Sequence, residues 1–311
     1  TRGVASLFKL QVSSDGRSWR DLKTFESANN SMLDFGTIPA TPATKYYFRT
    51  IYNNNPNLMS EVVTVTTESE QQVGNPGFED YHTAIMHVSP LGWIYDYDRE
   101  WYLPYKQGET DPWWAVNSKK TMPDGHTAWT SNFCKNFPCT AYSTVAYSGE
   151  KSAMVYSINV SDGNTDGTAI GNTVPGEIWI GKADDSGNHS ADGHAFANRP
   201  SALKFMYRYA DVNNENFSVT IVMYGGGKEI ARTEVIDGAA ASEWKERVVP
   251  IVYSDLMTKA DKIYISFKSA VPDASNKVQV RTAVSMEIAG QNRTAHIGSA
   301  LRIDDIQLIY E

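Results

Sequence analysis

Basic clusters are missing from this 311-residue sequence, which has 28 Lys+Arg against 36 Asp+Glu and a net charge of −8. A nucleic-acid-binding surface needs a Lys/Arg stripe to face the phosphates, so no nucleic acid partner is expected. Long apolar runs are also missing, because no stretch approaches the roughly 18 consecutive apolar residues of a spanning helix. The sequence therefore predicts no transmembrane segment.

Several catalytic motifs are absent. There is no G-x-S-x-G elbow, no H-E-x-x-H and no phosphate loop, so lipase-like, metalloprotease and nucleotide chemistry have no support. The sequence starts at Thr1 without a signal peptide, and we interpret it as a mature or trimmed chain.

Cysteine is scarce, with only Cys134 and Cys139, in the segment CKNFPC. Their spacing matches neither a thioredoxin-like redox motif nor a zinc site, since there is no second pair. A short loop disulfide formed in an oxidising compartment and two free, half-buried thiols both remain open.

Short runs rich in Val, Ile, Tyr, Phe and Thr are common, separated by Gly, Asn, Asp and Ser, and this pattern is typical of an all-β fold. The predicted strands are Leu7–Val12, Lys45–Thr50, Val62–Thr67, Ala153–Ile158, Leu203–Tyr209, Ser218–Tyr224, Arg247–Ile251, Lys262–Lys268 and Leu301–Tyr310. The polar segment Glu68–Gly74 has little to bury and predicts a linker. We expect domains at residues 1–70 and 71–311.

The first domain contains a strand, an Asp15-Gly16 turn and a second strand within Phe8–Trp19, followed by TKYYFRT and SEVVTVTT. This order resembles the second half of an immunoglobulin or fibronectin type III-like sandwich, in which Tyr46 or Tyr47 would form the tyrosine corner. A complete domain of that type has two further N-terminal strands, so either the chain is truncated or the topology differs. A plain spacer is the preferred role.

The second domain has ordered landmarks: NPGFE at 75–79, Trp93, SGEKSA at 148–153 and LRIDDIQL at 301–308. This series resembles jelly-roll, galactose-binding-like carbohydrate-binding modules, whose opening and closing strands lie side by side. The segments 198–209, 260–270 and 295–311 more closely resemble the carbohydrate metabolism domain family of Bacteroidetes. That resemblance covers about residues 73–311.

The resemblance implies a β-sandwich preceded by an immunoglobulin-like module in a secreted protein or surface lipoprotein. The expected location is extracytoplasmic, in the periplasm or at the outer-membrane surface. Membrane attachment would use a lipid anchor outside this chain, and partners would belong to a surface glycan-utilisation complex. Members of the family are associated with polysaccharide binding or glycoside hydrolysis, and fold alone does not decide between these.

Three carboxylates are candidate ligands of a structural Ca²⁺. In the resembling modules, an acid of the opening strand, here Glu79, meets one of the closing strand, here Asp304 or Asp305. Hard cations favour several oxygen ligands. Neighbouring strand residues face opposite ways, so Asp304 and Asp305 reach one ion only if a bulge intervenes, and Asp304 is favoured. The alternative is ordinary solvated or backbone-bonded acids.

The aromatic belt from Trp93 to Trp129 is the candidate carbohydrate site. Sugars present apolar C–H faces and a rim of hydroxyls, so they favour aromatic platforms beside planar polar groups. The predicted platforms are Trp101, Trp113 and Trp114, with Asp96, Asp98 and Glu100 as hydrogen-bonding partners. The alternative is that these rings fill space beneath a long insertion.

The segment Gly181–Pro200 is rich in Gly, Asp, His and Asn, matches no metal motif and predicts a flexible loop. Arg199, before Pro200 at the end of this segment, is a candidate ligand-binding residue, because a guanidinium can bind sugar hydroxyls or carboxylates. A fixed salt bridge at the start of a strand is the alternative for Arg199.

The function best supported by the sequence is extracytoplasmic binding of an oligo- or polysaccharide. Glycoside hydrolysis by a carboxylate pair is the second possibility, with candidate acids in or near the aromatic belt. A structural or adhesive surface protein is the third, and it would bury the clustered Trp residues.

Overall fold

The computed structural model describes residues 6–27, 36, 38, 40–88, 97–122, 137–159, 173–271, 284–295 and 297–310. The chain divides into two compact units, Thr1–Glu70 with Tyr310–Glu311, and Gln71–Ile309. The described residues form β-strands and a single 3-10 turn at Ser118–Lys120, which confirms the predicted all-β fold. No helix in this part of the chain is long and apolar enough to span a membrane.

The first unit contains one antiparallel sheet of four strands in the order β2-β1-β3-β4. The strands are β1 (Ser6–Ser13), β2 (Arg20–Ser27), β3 (Lys45–Tyr52) and β4 (Val63–Thr66). Strands β1, β3 and β4 overlap the predicted strands Leu7–Val12, Lys45–Thr50 and Val62–Thr67. The described strands of this unit belong to this one sheet.

The turn between β1 and β2 is longer than a two-residue hairpin turn. Gly16 supplies the expected positive φ, at 72°. Asp15 acts through its side chain instead, because its Oδ1 accepts the backbone N–H groups of Arg17 and Ser18, both at 2.7 Å. These hydrogen bonds hold the pKa of Asp15 below its usual range, with the Ser18 bond as the largest cause.

Tyr46 forms the corner predicted for Tyr46 or Tyr47. Its hydroxyl oxygen accepts the backbone N–H of Thr41, five residues upstream, at 2.9 Å. This bond ties the chain that enters β3 to the strand itself.

The second unit has two larger antiparallel sheets and two separate hairpins. The six-stranded sheet has the order β10-β9-β21-β14-β17, with β8 beside β9, and the seven-stranded sheet has the order β12-β11-β18-β15-β16, with β13 beside β18 and β7 beside β11. The hairpins are β5–β6 and β19–β20. The strands are β5 (His82–Val88), β6 (Tyr97–Leu103), β7 (Trp114–Val116), β8 (Thr140–Ser143), β9 (Ser152–Asn159), β10 (Thr173–Val174), β11 (Glu177–Ala183), β12 (His189–Asp192), β13 (His194–Ala195), β14 (Ala202–Ala210), β15 (Asn216–Gly225), β16 (Lys228–Asp237), β17 (Ala241–Pro250), β18 (Lys262–Val271), β19 (Val284–Ile288), β20 (Gln291–Ala295) and β21 (Ile297–Ile309).

The two large sheets face each other across an apolar core. Phe205 of β14 and Phe267 of β18 are fully buried, with ring centroids 5.1 Å apart. A second contact joins Ser157 of β9 to Ser269 of β18 through a 3.0 Å hydrogen bond between their hydroxyls. Because strand side chains alternate, the neighbours of these residues point to the opposite, outer faces of the sheets.

On the outer face of the six-stranded sheet, a second apolar cluster is covered by both hairpins. Met154, Tyr156 and Ile158 of β9 are completely buried there. Tyr102 of β6 and Ile288 of β19 pack on the same cluster. The hairpins are therefore anchored on this sheet, and the surface between them becomes a groove.

Candidate ligand-binding site

Strand β6 positions one wall of the groove. It pairs with β5 so that Glu100 lies opposite Ile85 and Asp98 opposite His87. Alternation along β6 then places Asp98, Glu100 and Tyr102 on one side of the hairpin.

The β19–β20 hairpin forms the facing wall. Its two turn residues, Ala289 and Gly290, both have positive φ, at 53° and 76°, as a tight type I′ turn requires. Ala289 donates its N–H to the carbonyl of Tyr142 at 2.9 Å, and Glu287 Oε1 accepts the N–H of Gly290 at 2.8 Å. These bonds fix the turn, so the residues that follow it have a defined position.

We call the space between the two walls the hairpin groove. Its volume is about 620 Å³, within the size range of small-molecule sites. It is lined by Ile85, Asp98, Arg99, Glu100, Tyr102, Phe137, Pro138, Ile288, Gln291, Asn292, Arg293 and Thr294.

Glu100 and Arg293 join the two walls. Glu100 Oε2 accepts Arg293 Nη2 at 3.0 Å and the Tyr102 hydroxyl at 3.0 Å. Burial is the main cause that raises the pKa of Tyr102, so this phenol keeps its proton and remains a donor. Asp98 contacts His87 Nδ1 at 2.9 Å near the rim.

Two polar atoms beneath the groove lack partners in the described part of the chain. They are the hydroxyl of Tyr156, which is fully buried, and Nε of Arg293. Buried polar atoms without partners are rare and costly, because the lost hydration is not replaced. They mark this region as one where further hydrogen bonding is favourable.

The groove has the composition of a site for a neutral, hydroxyl-rich molecule. Carboxylates, side-chain amides and guanidinium groups can form planar hydrogen bonds, and the Phe137 ring and Ile85 offer apolar surface. Both charge signs occur among the lining residues, as Asp98 and Glu100 and as Arg99 and Arg293, and Glu100 is paired directly with Arg293. Of the predicted ligand residues that the structure describes, only Asp98 and Glu100 line this groove.

Trp101 lies on the other side of β6 and not beside the acids, contrary to prediction. It packs against Met86 and Met122, and the ammonium group of Lys119 lies 5.3 Å from its ring centroid. The physical reason is the two-residue period of the strand, which separates Trp101 from Glu100.

The adjacent Trp113 and Trp114 have different environments. Trp114 is 1% exposed and packs 5.1 Å from Phe78, with Nε1 donating to the carbonyl of Gly74 at 2.8 Å. A buried ring cannot stack on a sugar, so Trp114 is a core residue and not a platform. Trp113 is half-buried and stacks on His194, with centroids 4.1 Å apart.

Arg199 is not among the residues that line the groove. Arg199 donates from Nη1 to the carbonyl of Leu256, which supports a structural role in holding the 251–259 segment rather than a place in the groove. Asp96 lies outside the described residues, as do Trp93 and Trp129. The predicted flexible loop 181–200 contains strands β12 and β13.

Glu79, Asp304 and Asp305 all bind the loop at 147–151. Glu79 Oε1 accepts two backbone N–H groups, from Glu150 at 3.0 Å and Lys151 at 3.2 Å. Asp304 Oδ2 accepts those of Tyr147 and Ser148 at 2.7 and 3.1 Å, and the Ser148 hydroxyl donates to Asp305 Oδ1 at 2.6 Å. These contacts are those of backbone-bonded acids, which is the alternative to a calcium site.

The bulge needed to bring both aspartates together is present. Asp305 has a φ of 47°, and the pairing of β21 with β14 shifts register between Lys204 and Met206. Even so, no three acidic, His or Cys side chains within the described ranges form a group that could hold a metal. The carboxylate oxygens of Glu79 and Asp304 accept backbone N–H groups of the 147–151 loop. The calcium site stays a prediction.

Cys139 is a free, fully buried thiol whose Sγ donates to Asn117 Oδ1 at 3.0 Å. Burial is the main cause that raises its pKa to about 12, so it remains protonated. Cys134 lies outside the described residues.

Comparison with known proteins finds no matching family model. No curated protein matches the sequence either. Solved structures with distant similarity include a family 61 carbohydrate-binding module in complex with β-1,4-galactotriose (12% identity, 78% of this chain and 100% of that chain, TM-score 0.28). Another is a carbohydrate-binding module of the β-sandwich superfamily (9% identity, 97% and 85% coverage, TM-score 0.31). A third is a cyclase from Fischerella sp. TAU (11% identity, 77% and 95% coverage, TM-score 0.36).

Proposed function

We propose that this protein binds carbohydrate in the hairpin groove, without cleaving it, and acts outside the cytoplasm in glycan capture. The observation that carries the proposal is the Arg293–Glu100–Tyr102 cluster at the junction of the two walls. It supplies fixed planar donors and acceptors beside apolar surface, which suits the hydroxyl rim and C–H face of a sugar.

Binding is favoured over hydrolysis by the position of the acids. Asp98 and Glu100 project from the same side of one strand and so belong to one wall of the groove. Most glycosidases need two carboxylates that flank the scissile bond. Among the described residues, the facing wall contributes no carboxylate to this groove: its lining residues are Ile288, Gln291, Asn292, Arg293 and Thr294.

A glycan array of plant, host and microbial glycans, followed by calorimetric titration of each hit, tests the proposal. Arg293→Gln and Glu100→Gln should each weaken binding about 10- to 100-fold, as expected for a charge-assisted hydrogen bond worth roughly 1.5–3 kcal/mol. The matched control is Arg232→Gln, which breaks the Arg232–Glu229 pair on β16, away from the groove. It should bind as the wild type does.

Mass spectrometry of the same mixtures separates binding from cleavage. Intact glycan supports the binding proposal, whereas shortened products that disappear in Asp98→Asn or Glu100→Gln would make the protein a hydrolase. A wild-type protein that binds nothing on the array contradicts the proposal and favours a structural or adhesive role.

A further inference from the structure

A second depression lies near the bulge of β21, and we call it the sheet-end groove. Its volume is about 420 Å³. It is lined by Gln72, Pro76, Gly77, Tyr147, Lys204, Met206, Glu246, Asp305, Ile306 and Gln307.

Tyr147 presents an aromatic surface at this groove. Its side chain is 51% exposed, and its ring lies edge-on to Trp244 of β17, with centroids 6.2 Å apart at 66°. The backbone N–H of Tyr147 is held by Asp304 Oδ2 at 2.7 Å. An exposed ring that is positioned by both a neighbour and a backbone bond can act as a stacking platform at low entropic cost.

Polar groups surround this ring. Lys204 Nζ lies 3.9 Å from Glu246 Oε2, a loose contact that leaves hydrogen-bonding capacity on both. Two hydrogen bonds to the backbone of Leu308 fix the side chain of Gln72. Gln72 Nε2 donates to the Leu308 carbonyl at 2.8 Å, and Gln72 Oε1 accepts the Leu308 N–H at 2.7 Å. The groove therefore combines an aromatic face with polar side chains, as the hairpin groove does.

Both grooves lie on the outer face of the same sheet. Lys204 and Met206 alternate along β14 with the buried Leu203 and Phe205, and so point away from the core. Along β21, Asp305 of the sheet-end groove is five residues from Ala300, which belongs to the cluster beneath the hairpins. This separation corresponds to roughly 15 Å of strand.

The surface between them is polar. Arg302 Nε donates to the Ser143 hydroxyl at 3.0 Å, and Arg302 Nη2 lies 3.8 Å from Glu287 Oε2. The Arg302 and Glu287 side chains remain 14% and 22% exposed, so a chain with hydroxyl groups along its length can cross this strip in contact with polar groups.

We propose that the sheet-end groove is a second carbohydrate subsite, with Tyr147 as its platform, so that the protein selects an extended polysaccharide segment over short sugars. This inference rests on the proposed function of the hairpin groove. Two weak subsites joined by one chain act with a high effective concentration, so affinity should rise with chain length until both are filled.

The test uses soluble β-1,4-galactan, arabinoxylan, xyloglucan and mixed-linkage β-glucan, each digested and fractionated into di-, tetra- and octasaccharides. The full chain and its Tyr147→Ala and Tyr147→Phe variants are titrated calorimetrically with every fraction. We expect Tyr147→Ala to weaken octasaccharide binding about tenfold and to leave disaccharide binding unchanged. Tyr147→Phe keeps the ring and should bind as the wild type does.

Three results would overturn the inference. The first is equal wild-type affinity for all lengths, and the second is an octasaccharide affinity unaffected by Tyr147→Ala. The third is an equal loss for every length, which would assign Tyr147 to the folding of the hairpin groove. In each of these cases the proposed function stands if Arg293→Gln still weakens binding about 10- to 100-fold, whereas a wild type that binds no fraction refutes both proposals.

Discussion

The imidazole of His189 stacks face to face on the indole of Trp179, with ring centroids 3.9 Å apart and an angle of 4° between the planes. His189 opens strand β12, which lies at the edge of the seven-stranded sheet. Its Nδ1 lies 2.6 Å from Asp192 Oδ1, and its Nε2 lies 3.3 Å from Glu177 Oε1. The ring therefore joins β12 to β11 through the Glu177 carboxylate and the Trp179 indole, while Asp192 holds it from within β12.

Charge around this imidazole favours its protonated form. Burial lowers the pKa of His189, but the hydrogen bonds and charges of Glu177 and Asp192 outweigh burial, and the net effect raises the pKa above its ordinary value of 6.5. Strand β18 contributes a cation and an aromatic ring to these surroundings. Lys268 Nζ lies 3.5 Å from Glu177 Oε1, and the Tyr264 ring centroid lies 6.2 Å from that of His189. A cation stacked on indole gains further stabilisation.

We expect stability to fall as the pH rises through the raised pKa of His189. The folded state binds this proton more tightly than the unfolded state, so the stabilisation is complete below about pH 6.5 and is lost above it. His189→Gln should lower the free energy of unfolding by about 1–3 kcal/mol at pH 6 and by less at pH 9. Urea titrations at both pH values measure this difference.

The control is His87→Gln, which removes an exposed imidazole paired with Asp98 on β6. NMR titration of the His189 ring provides an independent check. A His189 pKa at or below 6.5, or a His189→Gln variant with the same pH dependence as wild type, would contradict the prediction.

The neighbouring tryptophans give a prediction about stability. Trp114→Ala should destabilise the second unit by about 3–5 kcal/mol, because it leaves a cavity beside Phe78 and removes the bond to the Gly74 carbonyl. Trp113→Ala should cost less, because Trp113 is half-buried against His194. Thermal unfolding followed by calorimetry compares the two, and equal losses would show that burial does not distinguish these rings.

Local pattern was enough to locate most strands and part of the site. Alternation within YDREWYL already separates Asp98, Glu100 and Tyr102 from Trp101, and applying this period would have removed Trp101 from the set of platforms. The burial of Trp114 was harder to foresee, because an isolated three-residue strand does not show which of its sides meets the core.

Long-range pairs could not be predicted from the sequence. Arg293 lies 193 residues from Glu100, and only the packing of both hairpins on the same apolar cluster brings them together. Likewise, the sequence shows that Asp304 and Asp305 can face one ion only if a bulge intervenes. Whether the bulge forms depends on the register of β21 against β14, which the sequence does not show.

The last prediction concerns the acids that hold the 147–151 loop. Glu79→Gln and Asp304→Asn should each lower the free energy of unfolding of the second unit by about 1–3 kcal/mol, since each acid accepts two backbone N–H groups. The calcium prediction adds a second expectation, which is that millimolar Ca²⁺ raises the unfolding midpoint of the wild type but not of Glu79→Gln. Equal unfolding midpoints of the wild type in Ca²⁺ and in EGTA would refute the calcium site. The loss of unfolding free energy in the two variants would still establish the carboxylates as anchors of the loop.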